Sequence, residues 1–171
     1  MRISRKILAA FVFIMILACA GCSRKSSGKA DDDGRWMYGI DVDEIELERF
    51  KYKTKAEDSE EDISRTLKDL EEMPVKKGSL NPLPADVELQ GAEICDGVLT
   101  LDFSDDYYNM GSTREVLCRG AYVLTLMQIQ GVDGVEFTVN NKPLEYSTGG
   151  EVGVMTEDTF VDGGTVLLEA E

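Results

Sequence analysis

The chain has 171 residues, 33 acidic against 18 basic, for a net charge of −15, and it contains no histidine. Lacking histidine, it cannot build the usual zinc hydrolase sites, Ser-His-Asp triads or Cys-His dyads. So acidic a surface repels nucleic acid and anionic lipid headgroups, and neither a cofactor nor a nucleic-acid partner is expected.

Residues 1–21 read as a targeting segment. Arg2, Arg5 and Lys6 precede ILAAFVFIMILA (Ile7 to Ala18), an uncharged apolar run. It is too short for the roughly 20 residues a helix needs to span a bilayer, and it fits the h-region of a secretory signal. ACAGCS follows, and the small residues Ala20 and Gly21 before Cys22 resemble a bacterial lipobox. Cys22 is therefore the expected lipidation site, with Cys19 the second choice. The competing reading is an ordinary secretory signal or an uncleaved anchor helix. A lipidated chain is extracytoplasmic and held to the bacterial cell membrane by its acyl groups, each buried CH2 contributing about 0.8 kcal/mol. Loss of residues 1–21 removes three cations and no acid, leaving 15 basic against 33 acidic residues and a net charge of −18.

The expected organisation is a signal peptide at 1–21, a tether at 22–43 and a folded domain at 44–171. SRKSSGKADDDG (Ser23 to Gly34) carries Ser, Gly and charge with little to bury, and packing is expected to begin around Trp36, Met37 and Tyr38. EIELERFKY (Glu44 to Tyr52) alternates, with Ile45, Leu47 and Arg49 on one side and Glu46, Glu48 and Phe50 on the other, as a strand does. SEEDISRTLKDLEEM predicts a helix capped by Ser59, with Ile63, Thr66, Leu67, Leu70 and Met73 on one face. Pro74 and Gly78 close it. NPLPADV then enters extended, because each proline pushes the residue before it out of helical backbone.

VELQGAEICDGVLTLDF is two apolar runs around Asp96-Gly97, the strongest short hairpin signal. A two-residue turn sets Cys95 opposite Val98, Ile94 opposite Leu99 and Ala92 opposite Leu101. Ile94, Leu99, Leu101 and Phe103 then face the core, while Cys95, Thr100 and Asp102 face away. The next helix starts at STRE with Ser112 as N-cap and Glu115 three residues on. Leu117, Gly120, Ala121, Leu124 and Met127 form its apolar stripe, with Cys118 beside it. A Cys95–Cys118 disulfide suits an oxidising compartment, but the opposite placement of Cys95 disfavours it. GVDGVEFTVNNKPLEY gives a strand with Val135, Phe137 and Val139 inward and Glu136 and Thr138 outward, then a tight turn at Asn140-Asn141. TVLLEA in the tail offers an edge strand.

The candidate chemistry lies in DFSDDYY. Asp102, Asp105 and Asp106 follow a strand and precede a helix, a placement that suits either an acid-dependent cell-wall glycan hydrolase or a calcium-dependent cell-wall binder. The spacing matches no EF-hand register. Acids ahead of a helix also have a plain structural use against its positive end. Strand termination and capping are therefore the favoured roles, and Asp105, Asp106, Tyr107 and Tyr108 together make a candidate partner-facing loop.

NPLPADVELQGAEICDGVLTLDFSDDY and GSTREVLCRGAYVLTLMQIQGVDGVEFTVNNKPLE resemble, in order, the two halves of the GerMN domain, with its PLP entry, its TL-x-Q helix end and its GV-x-x-V-x-F-x-V strand. MTEDTFVD is similar to the closing segment, so the resemblance runs from about Ile45 to Val161. It implies an α+β or α/β domain of roughly βαββαβ order, a small sheet with two helices on one face, found in bacterial envelope lipoproteins. It further implies a non-enzymatic interaction or assembly module of sporulation or germination, acting on an envelope protein partner or on its own copies. The chain departs from the best-known bearer in having one copy where that protein has two.

Overall fold

The first strand among the described residues starts at Arg35, inside the segment expected to be tether. In the computed structural model, which describes residues 34–44, 46–72, 79–146, 148–161 and 167–168, Arg35–Asp41 forms strand β1, buried without interruption from Met37 onward. The boundary at residue 43 is therefore corrected. RWMYGID has apolar residues on both faces of the strand, and a strand covered on both sides loses the polar alternation that would betray it. Tyr38 and Ile40 pack in one cluster and Met37 in another. The signal segment with Cys19 and Cys22, together with Ile45, Met73, Pro74 and Gly78, lies outside the described residues.

β1 pairs antiparallel with β2 (Leu47–Tyr52). Helix α1 (Ser59–Glu71) follows and buries Ile63, Thr66, Leu67 and Leu70, the expected face. Its cap is Asp58 rather than Ser59: the Asp58 carboxylate accepts the Glu61 N–H at 2.8 Å. β3 (Ser79–Leu80) adds to the far side of β1, and β8 (Leu167–Leu168) lies parallel to β2. The first sheet therefore runs β3-β1-β2-β8.

The second sheet is built from β4 (Leu89–Cys95), β5 (Val98–Phe103), β6 (Gly134–Val139) and β7 (Lys142–Pro143), in that order. The β4–β5 hairpin has the expected register, Cys95 against Val98, Ile94 against Leu99 and Ala92 against Leu101. Asp96 and Gly97 both take positive φ, 50° and 85°, as a primed two-residue turn demands. Gly97 has a second reason to be glycine, since a Cβ there would collide with the Asp133 carboxylate. β6 runs parallel to β5, which requires a crossover. That crossover is a 3₁₀ turn (Asp105–Asn109) and helix α2 (Ser112–Leu126).

Helix α2 corrects the expectation of one sheet with two helices on one face. Every residue from Leu117 to Leu126 is buried. Leu117, Ala121 and Leu124 pack with Tyr38, Ile40 and Leu47 of the first sheet. Cys118, Tyr122, Val123 and Leu126 join the cluster that holds Leu99, Leu101, Phe103, Val135, Phe137 and Val139 of the second. The helix is thus the centre of the core, and a short helix α3 (Asp158–Val161) brings Phe160 against Gly120. The mixed α+β class stands, with two sheets. Ser112 is not the cap of α2: Gly111 holds that position without a side-chain bond.

The last turn of α2 also closes an open strand edge. Beyond its two-residue pairing with β3, no strand among the described residues pairs with that side of β1, the kind of edge that proteins cover. Gln128 accepts the Trp36 N–H at 2.8 Å and donates to the Trp36 carbonyl at 2.7 Å. The Thr125 hydroxyl accepts the buried Tyr38 N–H at 3.0 Å. Two side chains of the TL-x-Q segment thus do for β1 what a neighbouring strand would do.

Candidate functional site

Phe103, at the end of β5, is fully buried and anchors an aromatic cluster. Its ring centroid lies 5.3 Å from Tyr107, 5.8 Å from Tyr122 and 6.1 Å from Phe137. Tyr107 is 1% exposed, so the 3₁₀ turn is pinned to the core by one tyrosine. The expectation that Tyr107 faces a partner is corrected: in a tight 3₁₀ turn adjacent side chains diverge, so burial of Tyr107 pushes Tyr108 out. Tyr108 is 57% exposed. The Tyr107 and Tyr122 hydroxyls have no hydrogen-bond partner among the described residues, and burial holds both well above the ordinary tyrosine range.

The three aspartates serve three different contacts. Asp102 accepts the Thr138 hydroxyl and the Asn141 backbone N–H, each at 2.7 Å. It thereby ties the β6–β7 turn, where Asn140 and Asn141 take φ of 49° and 61°, to β5. Asp105 accepts the Asn140 side-chain amide at 2.6 Å on the same side. Asp106 points elsewhere, accepting from the Asn109 amide at 3.2 Å. Glycoside hydrolysis ordinarily uses two carboxylates flanking one substrate bond; here Asp102 and Asp105 are both engaged on the β6–β7 turn and Asp106 on Asn109. Among the described residues no group of three or more acidic or cysteine side chains is placed to hold a metal ion.

Asp106 instead lines a cleft of about 650 Å³ that opens beside the N-terminus of α2. Asp43 and Glu44 from the β1–β2 turn and Asp86 from the proline-rich entry to β4 complete an acidic rim. Arg114 is its cation, paired with Glu44 at 3.2 Å and donating to the Asn81 carbonyl. These two contacts fasten two loops to the first turn of the helix. Sequence reasoning missed this cleft because its acids lie on separate loops, at positions 43, 44, 86 and 106, with no shared spacing. Glu44 takes a φ of 56°, a left-handed backbone that nothing in its residue type announces.

Cys118 is fully buried beside this region, and burial pushes its thiol up to about 12. Neither Cys95 nor Cys118 is in a disulfide, in keeping with their placement on different layers. Among the described residues, no helix is long and apolar enough to cross a membrane.

No protein of curated description matches the chain. Among solved structures, it is similar to the first GerMN domain of the sporulation protein GerM from Bacillus subtilis, at 23% identity over 72% of this chain and 93% of that one, with a TM-score of 0.53. The tandem GerMN domains of the same protein give 0.52 at 23% identity over 72% of this chain, which spans only 44% of theirs. A Clostridium perfringens protein provisionally named a lipoprotein gives 0.51 at 21% identity, covering 82% of this chain and 99% of that one. These likenesses are of fold. Residues 30–145, more than half of the sequence and including β1, match the model of the Germane family, described as sporulation and spore germination. The chain therefore belongs to the Germane, or GerMN-domain, family.

Proposed function

We propose that this protein is a lipid-anchored, extracytoplasmic binding or assembly module of the bacterial envelope, serving sporulation or germination through a protein partner or its own copies and without catalysis. The observation that carries this reading is the divided fate of the Asp102–Tyr108 loop. Asp102 and Asp105 are spent on holding the β6–β7 turn, while Asp106 lines an acidic cleft and Tyr108, two residues on, is exposed to solvent. An exposed tyrosine on a rigidly held turn is a good contact residue, because it offers a large area with little side-chain entropy to lose. The family description supports the cellular process. The lipobox-like Ala-Gly-Cys-Ser context of Cys22 supports the anchor.

Two measurements test the two halves. Growth with an alkyne-bearing fatty acid labels the wild-type chain and leaves Cys22→Ala unlabelled if Cys22 carries the lipid; equal labelling of both overturns that assignment. In-cell cross-linking of the tagged protein at native level captures a reproducible envelope protein or a second copy. Release of soluble glycan from purified cell wall by the wild-type protein contradicts the non-catalytic half.

A further inference from the structure

RFKYKTK, residues 49–55, places four cations at alternate positions without a single acid, in a chain where acids outnumber bases by 33 to 18. Alternate residues of a strand share a face. β2 directs Phe50 and Tyr52 against the main core cluster, so Arg49 and Lys51 point to the other side, and the exposed-in-alternation pattern continues through Lys53 and Lys55. Trp36 sits directly opposite Lys51 in the β1–β2 ladder. The Arg49 guanidinium carbon lies 4.4 Å, and the Lys51 ammonium 4.1 Å, from the centre of its ring. Gly34 abuts the Lys53 side chain. The row therefore lies where the chain enters the domain.

We infer that the face bearing Arg49, Lys51, Lys53 and Lys55 around Trp36 docks on the anionic phospholipid headgroups of the bilayer to which Cys22 ties the chain; this rests on the lipid anchor proposed above. Only twelve residues, 23–34, separate Cys22 from β1, and at full extension they span no more than ~43 Å. The bilayer is thus always near, and the attachment point is the edge of the basic row. Each Lys or Arg close to an anionic leaflet contributes about 1 kcal/mol, and tryptophan is the side chain most favoured at headgroup depth. The chain's net negative charge repels such a leaflet as a whole, so the row acts at contact, where charges more than about 8 Å away are screened at physiological salt.

Trp36 is the only tryptophan in the chain, so its fluorescence reports on this face alone. The full-length lipidated protein, purified from membranes, is reconstituted on phosphatidylcholine vesicles and on vesicles of phosphatidylcholine and phosphatidylglycerol in equal parts. Co-flotation with either vesicle reads the anchor, and quenching of Trp36 by lipids brominated near the headgroup reads docking. The expected result is co-flotation on both, with quenching only where phosphatidylglycerol is present and its loss at high salt. Lys51→Glu with Lys53→Glu should still co-float, while the docked-to-undocked ratio falls at least about 25-fold, from about fivefold per lysine. Lys51→Gln with Lys53→Gln, less intrusive to the fold, should fall by about 25-fold. Wild-type co-flotation with quenching that is absent, or equal on the two vesicles, or unmoved in both variants, overturns the docking face and leaves the anchor standing. Wild-type failure to co-float overturns the anchor and the docking with it.

Discussion

Replacing Gln128 by Ala removes the side chain that closes the exposed end of β1. Three bonds are lost: from the Trp36 N–H at 2.8 Å, to the Trp36 carbonyl at 2.7 Å and to the Leu124 carbonyl at 2.6 Å. The site is half-buried, so water replaces the bonds only in part. At about 0.5–1.5 kcal/mol net per bond, the expected cost is about 2–3 kcal/mol. For a domain of this size about 1 kcal/mol shifts Tm by about 4 °C, giving a fall of about 8–12 °C. Gln128→Glu is the sharper variant. It has the same shape and still accepts from Trp36, but near neutral pH its carboxylate faces two carbonyl oxygens with nothing to donate. It should cost at least as much as Ala, and part of the loss should return in acid, where the protonated form can donate again. Thermal unfolding of the full chain, followed by far-UV circular dichroism and by Trp36 fluorescence, measures both. If both variants unfold within about 2 °C of wild type, the amide is not closing that edge and the reasoning fails.

Four further outcomes follow from the same contacts. Thr125→Val strips the acceptor from the buried Tyr38 N–H and should cost about 1–3 kcal/mol, whereas Thr125→Ser should recover most of it, by the same unfolding measurement. Gly97→Ala should be strongly destabilising, since it meets both a positive φ and the Asp133 carboxylate, while Gly91→Ala, with nothing within 4 Å of a Cβ and an ordinary φ, should gain about 0.4–1 kcal/mol. The Cys118 thiol, raised from 9 to about 12, stays neutral in the fold when the unfolded chain would ionise. The stability this contributes is whole below pH 9 and is lost between pH 9 and 12, at about 1.4 kcal/mol per pH unit. Tyr107 and Tyr122 steepen the fall above pH 10, and a denaturant titration series across that range that stays flat would count against burial of these groups. Finally, Arg119, which is 5% exposed with two guanidinium nitrogens lacking acceptors among the described residues, should be replaceable by Met with neutral or improved stability, read as the urea midpoint.

Most of the second sheet was legible in the sequence. Asp96-Gly97 determined a register, and that register determined which way Asp102 pointed. The β6 pattern at Val135, Phe137 and Val139 read as simply, because both strands have one buried and one half-open face. In the first sheet β2 was legible from its alternation and an edge strand was expected in TVLLEA, but β1 was hidden for the opposite reason. β1 is covered on both sides and has no alternation, so RWMYGID looked like the end of a tether. The sandwiching of α2 was hidden as well: a stripe at Leu117, Ala121 and Leu124 was visible, but Arg119, Tyr122 and Thr125 are polar by type and carry no signal of burial. Thr125 and Gln128 stood out only as family lettering, and their purpose lies 87 and 92 residues away along the chain. At the candidate site, individual acids could be named but not their partners, because Asn140, Asn141 and Asn109 carry no signal of whom they bind. The basic row at residues 49–55 was spelled out in the sequence, yet its bearing depends on Trp36 being opposite Lys51, which only the β1–β2 pairing reveals.

Site-specific photo-cross-linking in living cells tests the central claim most directly. A photoreactive residue is placed at Tyr108, at Asp106 and, as a control, at the exposed Glu93 on β4, in the otherwise native chain. An adduct to one envelope protein, or to a second copy, from positions 108 and 106 but not from 93 is the predicted result. No adduct from either of these two positions, with a reproducible protein adduct from Glu93 instead, would contradict the assignment of Asp106 and Tyr108 to the surface by which this protein works.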